Sequence, residues 1–283
     1  MIRQDPAEQL DPSFNIITPI LIVIIFLIAL ILMRRANLSK NKANLLSVVS
    51  FLGIGLILGG RPNPVNAFNQ IFANLIPSTS MSFRLLLSAL GVFSLILASV
   101  ILFSRIFCGY ACPLGSMQEL ASKVNFKSNL KAQKKVKYSF DPPERSLRIT
   151  RWIYLGILGL TALLLGFSVS QFLDPFNGFQ FMEELALFTV IFLIMILITS
   201  FFIYRPWCRI FCPFGTISGL ISFSQYRYVR TDECTDCGLC EKICPSHAAD
   251  RGDKKTECYY CNRCVEICPQ DAIKYAKATS TKN

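Results

Sequence analysis

The chain of 283 residues is 52% hydrophobic yet carries a formal net charge of +11, with 12 cysteines and a single histidine. A soluble globular domain does not combine these values, whereas a polytopic membrane protein with basic loops does. One histidine, His247, excludes bis-histidine haem ligation, and no G-x-G-x-x-G, P-loop or C-x-x-C-H motif is present.

Five apolar runs are long enough, or nearly so, to cross about 30 Å of hydrocarbon at about 1.5 Å per residue. They lie near 16–33, 43–60, 85–103, 152–172 and 185–204, and none contains Asp, Glu, Lys or Arg. Proton pumping through buried membrane acids therefore has no support. The first run reads as an uncleaved anchor, because it is too long for a signal peptide and is followed by Arg34, Arg35, Lys40 and Lys42. Asp5, Glu8 and Asp11 precede it against a lone Arg3, so charge bias points the N-terminus outward. Alternation then puts 104–151 inside, 173–184 outside and the tail after Tyr204 inside. From Lys123 to Arg151 there are nine Lys or Arg against Asp141 and Glu144. Lys131, Lys134, Lys135 and Lys137 read as topogenic charges that also meet anionic lipids. From Gln225 onward ten basic side chains face nine acidic ones, and no nucleic-acid motif occurs.

The chain also repeats itself. The segment running from Ser104 through Cys108 and Cys112-Pro113 to Gly115 matches the segment from Tyr204 through Cys208 and Cys212-Pro213 to Gly215, one hundred residues on. Upstream, Asn63-Pro64-Val65-Asn66-Ala67-Phe68 resembles Asp174-Pro175-Phe176-Asn177-Gly178-Phe179. Two units in the same orientation predict a parallel repeat about an axis along the membrane normal. The domain reading is an anchor helix at 1–42, a duplicated helical-hairpin membrane domain at 43–223, a two-cluster ferredoxin domain at 224–276 and a tail at 277–283. The fold class expected is an all-α membrane bundle of about five transmembrane helices plus a small α+β ferredoxin-like domain.

All twelve cysteines fall into four motifs that end in Cys-Pro. The last two have the C-x2-C-x2-C-x3-C-P spacing of bacterial two-cluster ferredoxins, in which the fourth cysteine of each motif joins the other cluster. Cys234, Cys237, Cys240 and Cys268 are thereby assigned to one 4Fe-4S cluster, and Cys258, Cys261, Cys264 and Cys244 to the second. A zinc ribbon would need pairs of C-x2-C instead. Segments 226–229 and 272–275 read as short paired strands. In the membrane-side motifs, Cys108 and Cys112, like Cys208 and Cys212, would share a helix face. Three functions compete for them: a further iron-sulfur cluster, a dithiol relay, or a soft Cu(I) site.

Duplicated C-x3-C-P motifs ahead of a two-cluster ferredoxin domain resemble the NapH/NosR-type membrane quinol dehydrogenase family over nearly the whole chain. The resemblance implies a subunit in the cytoplasmic membrane, multi-pass and with the ferredoxin domain in the cytoplasm. It would exchange electrons between membrane quinone or quinol and 4Fe-4S clusters. Its partners would be membrane quinone and other redox subunits, either iron-sulfur or cytochrome proteins, without which it would not turn over. Asn66 and Asn177, in the outer loops, are the candidate quinone ligands; turn formation beside proline is their bland reading. The rivals are a copper-handling assembly factor using the C-x3-C-P thiols and a redox sensor.

Overall fold

Hydrophobicity without charge favours helices that satisfy their own backbones, and each of the five apolar runs does contain one. The computed structural model describes residues 12–35, 38–60, 63–73, 83–126, 143–165, 174–179, 186–221, 226–250 and 257–277. Lys131, Lys134, Lys135 and Lys137 lie outside these. Helix α1 spans Pro12–Arg34, with Arg34 in its last turn where a cation complements the helix dipole. Helix α2 (Lys40–Val49) runs on as a π-helical segment, Ser50–Ile57, which stops at Gly59 and Gly60, both left-handed.

The first x-Pro-x-Asn-x-Phe segment opens α3 (Pro64–Ala73). Asn63 caps it, its Oδ1 accepting the backbone N–H groups of Val65 (2.9 Å) and Asn66 (3.2 Å). The second copy forms a one-turn 3-10 helix at Asn177–Phe179. The remaining long elements are α4 (Phe83–Phe103), α5 (Pro113–Phe126), α6 (Glu144–Leu165), α7 (Ala186–Thr199) and α8 (Pro213–Ile221). Helix α5 runs antiparallel to α2: Pro113 packs where a Cβ on Gly55 would stand, and Lys123 donates to Asn44 at 2.8 Å.

A two-stranded antiparallel sheet follows, β1 (Tyr226–Arg230) against β2 (Ile273–Lys277), with Tyr228 opposite Tyr275. Between the strands lie two one-turn helices, α9 (Leu239–Ile243) and α10 (Arg263–Ile267). Tyr226, Tyr228, Tyr260 and Tyr275 pack their rings 5.4–6.1 Å apart and form this unit's apolar centre. The strands fall within two residues of the segments expected from sequence.

The five expected crossings are a different matter. Among the described residues no helix is long and apolar enough to cross a membrane. Helix α7, with 14 residues, reaches only about 21 Å. The polarity of the bundle is nonetheless inverted relative to a water-soluble one. Ile157, Leu160, Leu187, Ile191 and Ile194 are exposed, while Arg105, Arg205, Arg209, Gln118 and Glu119 are buried.

Candidate functional site

Four corners of identical shape hold the last cysteine of each motif. Proline disfavours helical backbone in the residue before it. Cys112, Cys212, Cys244 and Cys268 accordingly end their helices in extended conformation, with φ between −79 and −71° and ψ between 113 and 119°. In the two C-x3-C-P motifs the turn before the corner is π-helical: Cys112 N–H reaches the Phe107 carbonyl and Cys212 N–H that of Trp207, each at 2.9 Å. The α-helical face expected for Cys108 and Cys112 is thus replaced by a wider turn.

In the ferredoxin unit the duplication is written in the backbone. Asp236, Gly238 and His247 have positive φ, and so do Tyr260, Asn262 and Asp271, each twenty-four residues on. Alternating left- and right-handed residues turn successive N–H groups to one side, forming a concavity suited to an anion such as a cluster sulfide. Cys234, Cys237, Cys240 and Cys268 line one pocket together with Arg230 and Pro269. Cys264 has Cys261, Cys258 and Cys244 as electrostatic neighbours. Donors point at the sulfurs: Arg230 to Cys240 and the Ala272 N–H to Cys268, both at 3.3 Å. Four thiols around a donor-lined pocket suit a 4Fe-4S group. Among the described residues no group of three Cys, His, Asp or Glu closes around a single metal ion.

The C-x3-C-P cysteines also converge. Cys212 has Cys208, Cys108 and Cys112 as electrostatic neighbours, and Cys108 has Cys208. Gln118 donates to Cys208 and the Gly215 N–H to Cys212, each at 3.3 Å. Burial pushes the Cys108 thiol up to about 12, aided by Cys208 and opposed by Arg105 and Arg205. Such a set of soft donors beside two buried guanidinium groups suits an anionic metal cluster.

Those arginines are the residues that sequence reasoning missed. Each stands three positions before the first cysteine of its repeat, and each reaches into the other repeat. Arg105 donates to the Gly215 carbonyl (2.9 Å), and Arg205 to the Cys108 carbonyl (2.7 Å). Arg105 also makes a fork to Glu257, both bonds 3.1 Å, and donates to the Tyr259 hydroxyl at 2.6 Å. Arg151 meets the same Glu257 at 2.6 Å. On the other side, Glu119 accepts from Arg205 (3.2 Å), Arg263 (3.0 Å) and Tyr204 (2.8 Å). The Tyr259 ring lies between the two repeats' guanidiniums, 5.1 Å from Arg105 and 4.8 Å from Arg205. Tyr110 donates to the Tyr260 carbonyl at 2.6 Å, and a Cβ on Gly109 would meet the Tyr259 carbonyl at 2.5 Å. The residues between Cys258 and Cys261 therefore press directly on the first C-x3-C-P turn. The repeated arginine was visible in the sequence; Glu119 and Glu257 carried no signal, since only the tertiary fold brings them there.

Asn66 and Asn177 are not brought together by any contact among the described residues. Asn66 is exposed, and Asn177 begins the 3-10 turn. The residues that do meet stand before the two prolines: Asn63 Nδ2 donates to Asp174 Oδ2, and the Phe176 N–H donates to Asp174 Oδ1 at 3.0 Å. Phe176 and Phe179 of this loop then pack on Gly60 and Gly55.

A family model described as "4Fe-4S binding domain" matches residues 85–131 and again 185–227, once over each C-x3-C-P motif. A second, "LdpA Fe-S cluster-binding domain", matches 235–279. YccM of Escherichia coli is 31% identical over 64% of this chain, and the ferredoxin-type protein NapH of Haemophilus influenzae 28% identical over 60%. The regulatory protein NosR of Stutzerimonas stutzeri is 25% identical over 53% of the chain. These matches support a NapH/NosR-type likeness. It spans 51% of YccM, 59% of NapH and 21% of NosR. No solved structure matches it. The double match is informative: the same 4Fe-4S description falls on both halves of the C-x3-C-P repeat and is separate from the ferredoxin unit.

Proposed function

We propose that the chain is a membrane-integral electron-transfer subunit that exchanges electrons between membrane quinone and iron-sulfur clusters and relays them to a partner redox protein. The carrying observation is the direct seat of the second ferredoxin motif on the C-x3-C-P tetrad, with Tyr259 held between Arg105 and Arg205. Cys234, Cys237, Cys240 and Cys268 would hold one 4Fe-4S cluster; Cys258, Cys261, Cys264 and Cys244 would hold the second. Cys108, Cys112, Cys208 and Cys212 would hold a third centre, and the 4Fe-4S description of both repeat halves favours a cluster over Cu(I) or a bare dithiol. Bound clusters supply one-electron steps. The chain's own residues exclude water, fix the tetrad beside Cys258 and Cys261, and set its electrostatic field through Arg105 and Arg205. The exposed apolar faces of α6 and α7 support insertion in the cytoplasmic membrane, because so large an apolar surface has no stable place in water. The ferredoxin unit would face the cytoplasm and the N-terminus the outside, as the lysine and arginine bias requires.

Metal analysis and electron paramagnetic resonance of the full chain, purified anaerobically in detergent, test this. About twelve irons are expected, and a short-chain hydroquinone should reduce them. The Cys112→Ser variant should keep about eight irons that dithionite still reduces and hydroquinone no longer does. Stoichiometric copper, or unchanged hydroquinone reduction in that variant, would overturn the proposal.

A further inference from the structure

Duplication provides two equivalent places beside the tetrad, and the second has been furnished differently. At the positions where the first repeat has Phe107, Ala111 and Asn63, the second has Trp207, Phe211 and Asp174. Trp207 is 2% exposed, and its indole N–H has no hydrogen-bond partner among the described residues. A buried donor left in that state is costly unless something accepts from it. Its ring meets Phe192 at 5.8 Å and Phe211 at 6.1 Å, and Phe211 meets Tyr154 of α6 at 5.5 Å. Phe211 is 41% exposed, so this aromatic row leads from the bundle's apolar outer face to the residues beside Cys208 and Cys212. Tyr154 in turn lies within electrostatic reach of both Cys212 and Asp174. Asp174 is 2% exposed and is held by Asn63 and the Phe176 N–H.

From this asymmetry we infer that the quinone exchanged under the proposed function binds once per chain, in the second repeat, against Tyr154 and Phe211, with the Trp207 indole as its donor and Asp174 as its proton acceptor. The inference rests on that function. A flat, amphipathic ring is what an aromatic row beside one buried donor and one carboxylate recognises. Hydroquinone oxidation releases two electrons and two protons. The Asp174 carboxylate takes the first phenolic proton while one electron leaves to the iron-sulfur centre proposed at the tetrad. Asp174 then yields its proton to water, and the second proton and second electron follow by the same route, leaving quinone. Phe107, Ala111 and Asn63 of the first repeat offer neither a ring N–H nor an acid, so no second quinone is expected there.

Two readouts on the full chain in lipid nanodiscs test the site, one of binding and one of rate. The chain has two tryptophans, and Trp152→Phe leaves Trp207 as the sole emitter. Titrating decylubiquinone into that variant should quench its fluorescence saturably, and Asp174→Leu should weaken the apparent affinity about tenfold. Asp174→Asn, which keeps the shape and one of the two hydrogen bonds, should retain binding while slowing decylubiquinol reduction of the iron-sulfur absorbance by about 100-fold. Dithionite reduction of that variant should be unchanged. Wild-type rates in both Asp174→Asn and Trp207→Phe would overturn the site alone. Clusters inert to every quinol and quinone in the wild type would overturn the proposed function and this site with it.

Discussion

Glu119 shows how much a single side chain can hold in place. It lies buried on α5 and receives Arg205 from the second repeat, Arg263 from the ferredoxin unit and Lys123 at 3.7 Å from the next turn of its own helix. Burial alone would raise its pKa, but Arg263, then Arg205 and Lys123, with the Tyr204 hydrogen bond, hold it down to about 2. A carboxylate with a depressed folded-state pKa contributes stability above its unfolded value, about 4.5, and loses it as the pH falls towards 2. Glu119→Gln should therefore cost about 3–5 kcal/mol at pH 7, because two arginines lose their countercharge. Urea unfolding in detergent should show the gap to wild type closing between pH 4.5 and 2; a gap independent of pH would refute the charge argument. Glu257 is held low in the same way by Arg105 and Arg151. Neither acid was legible beforehand. Glutamates 119 and 257 are 138 positions apart and lie in unremarkable local patterns, and only the folded arginines distinguish them from surface charges. The arginines themselves were legible as part of the repeat, though not their partners, since a repeat shows equivalence and not contact.

At the scale of elements, the Cys-Pro corner recurs in both domains, and in the two C-x3-C-P motifs the glycine that follows it is required by close packing. A Cβ on Gly215 would stand 2.6 Å from the Cys208 carbonyl, and one on Gly115 would fall on that of Cys108. Gly215→Ala must push back the turn that carries Cys208 and strain the Arg105 bond to the Gly215 carbonyl, at about 1–3 kcal/mol. Iron at the tetrad should fall in this variant while the ferredoxin irons stay. Gly91 in α4 is the contrast: nothing lies within 4 Å of its added Cβ. Gly91→Ala should leave metal content unchanged and stabilise the helix by about 0.5–1 kcal/mol. Equal loss of iron in both variants would show that the close approach at Gly215 does not matter. The helices and strands were legible from composition and spacing, because apolar runs and four-cysteine motifs are local. The π-helical turns were not, since hydrophobic periodicity cannot register an i to i+5 bond.

For the molecule as a whole, charge and oil have exchanged places. Arginines 105, 205 and 209 are buried on the axis where the repeats and the ferredoxin unit meet, and leucines and isoleucines of α1, α4, α6 and α7 face outward. Buried ion pairs contribute little to net stability, but removing one partner is costly, so they fix one arrangement of parts more than they strengthen it. The ferredoxin unit is thus seated on the bundle and not tethered to it. Tyr110, Asn262 and Arg263 pin it at 2.6 Å to the Tyr260 carbonyl, 2.7 Å to the Leu38 carbonyl and 3.0 Å to Glu119. That seating was invisible in the sequence, where a domain boundary near 224 suggested a separable module. Two consequences can be measured on one preparation. Alkaline carbonate and high salt should leave the chain in the membrane pellet, and mild detergent should release it whole, because its outer surface is apolar and its ionic contacts are buried beyond the reach of counterions. Limited proteolysis of the released protein should spare strand β1, Tyr226–Arg230, in the wild type. Cleavage should open there in Arg263→Ala, which frees one face of the seat and leaves Glu119 with Arg205 and Lys123. Equal cleavage in both, or release by salt alone, would mean that the ferredoxin unit rides on a linker and that the tetrad is not held against Cys258 and Cys261.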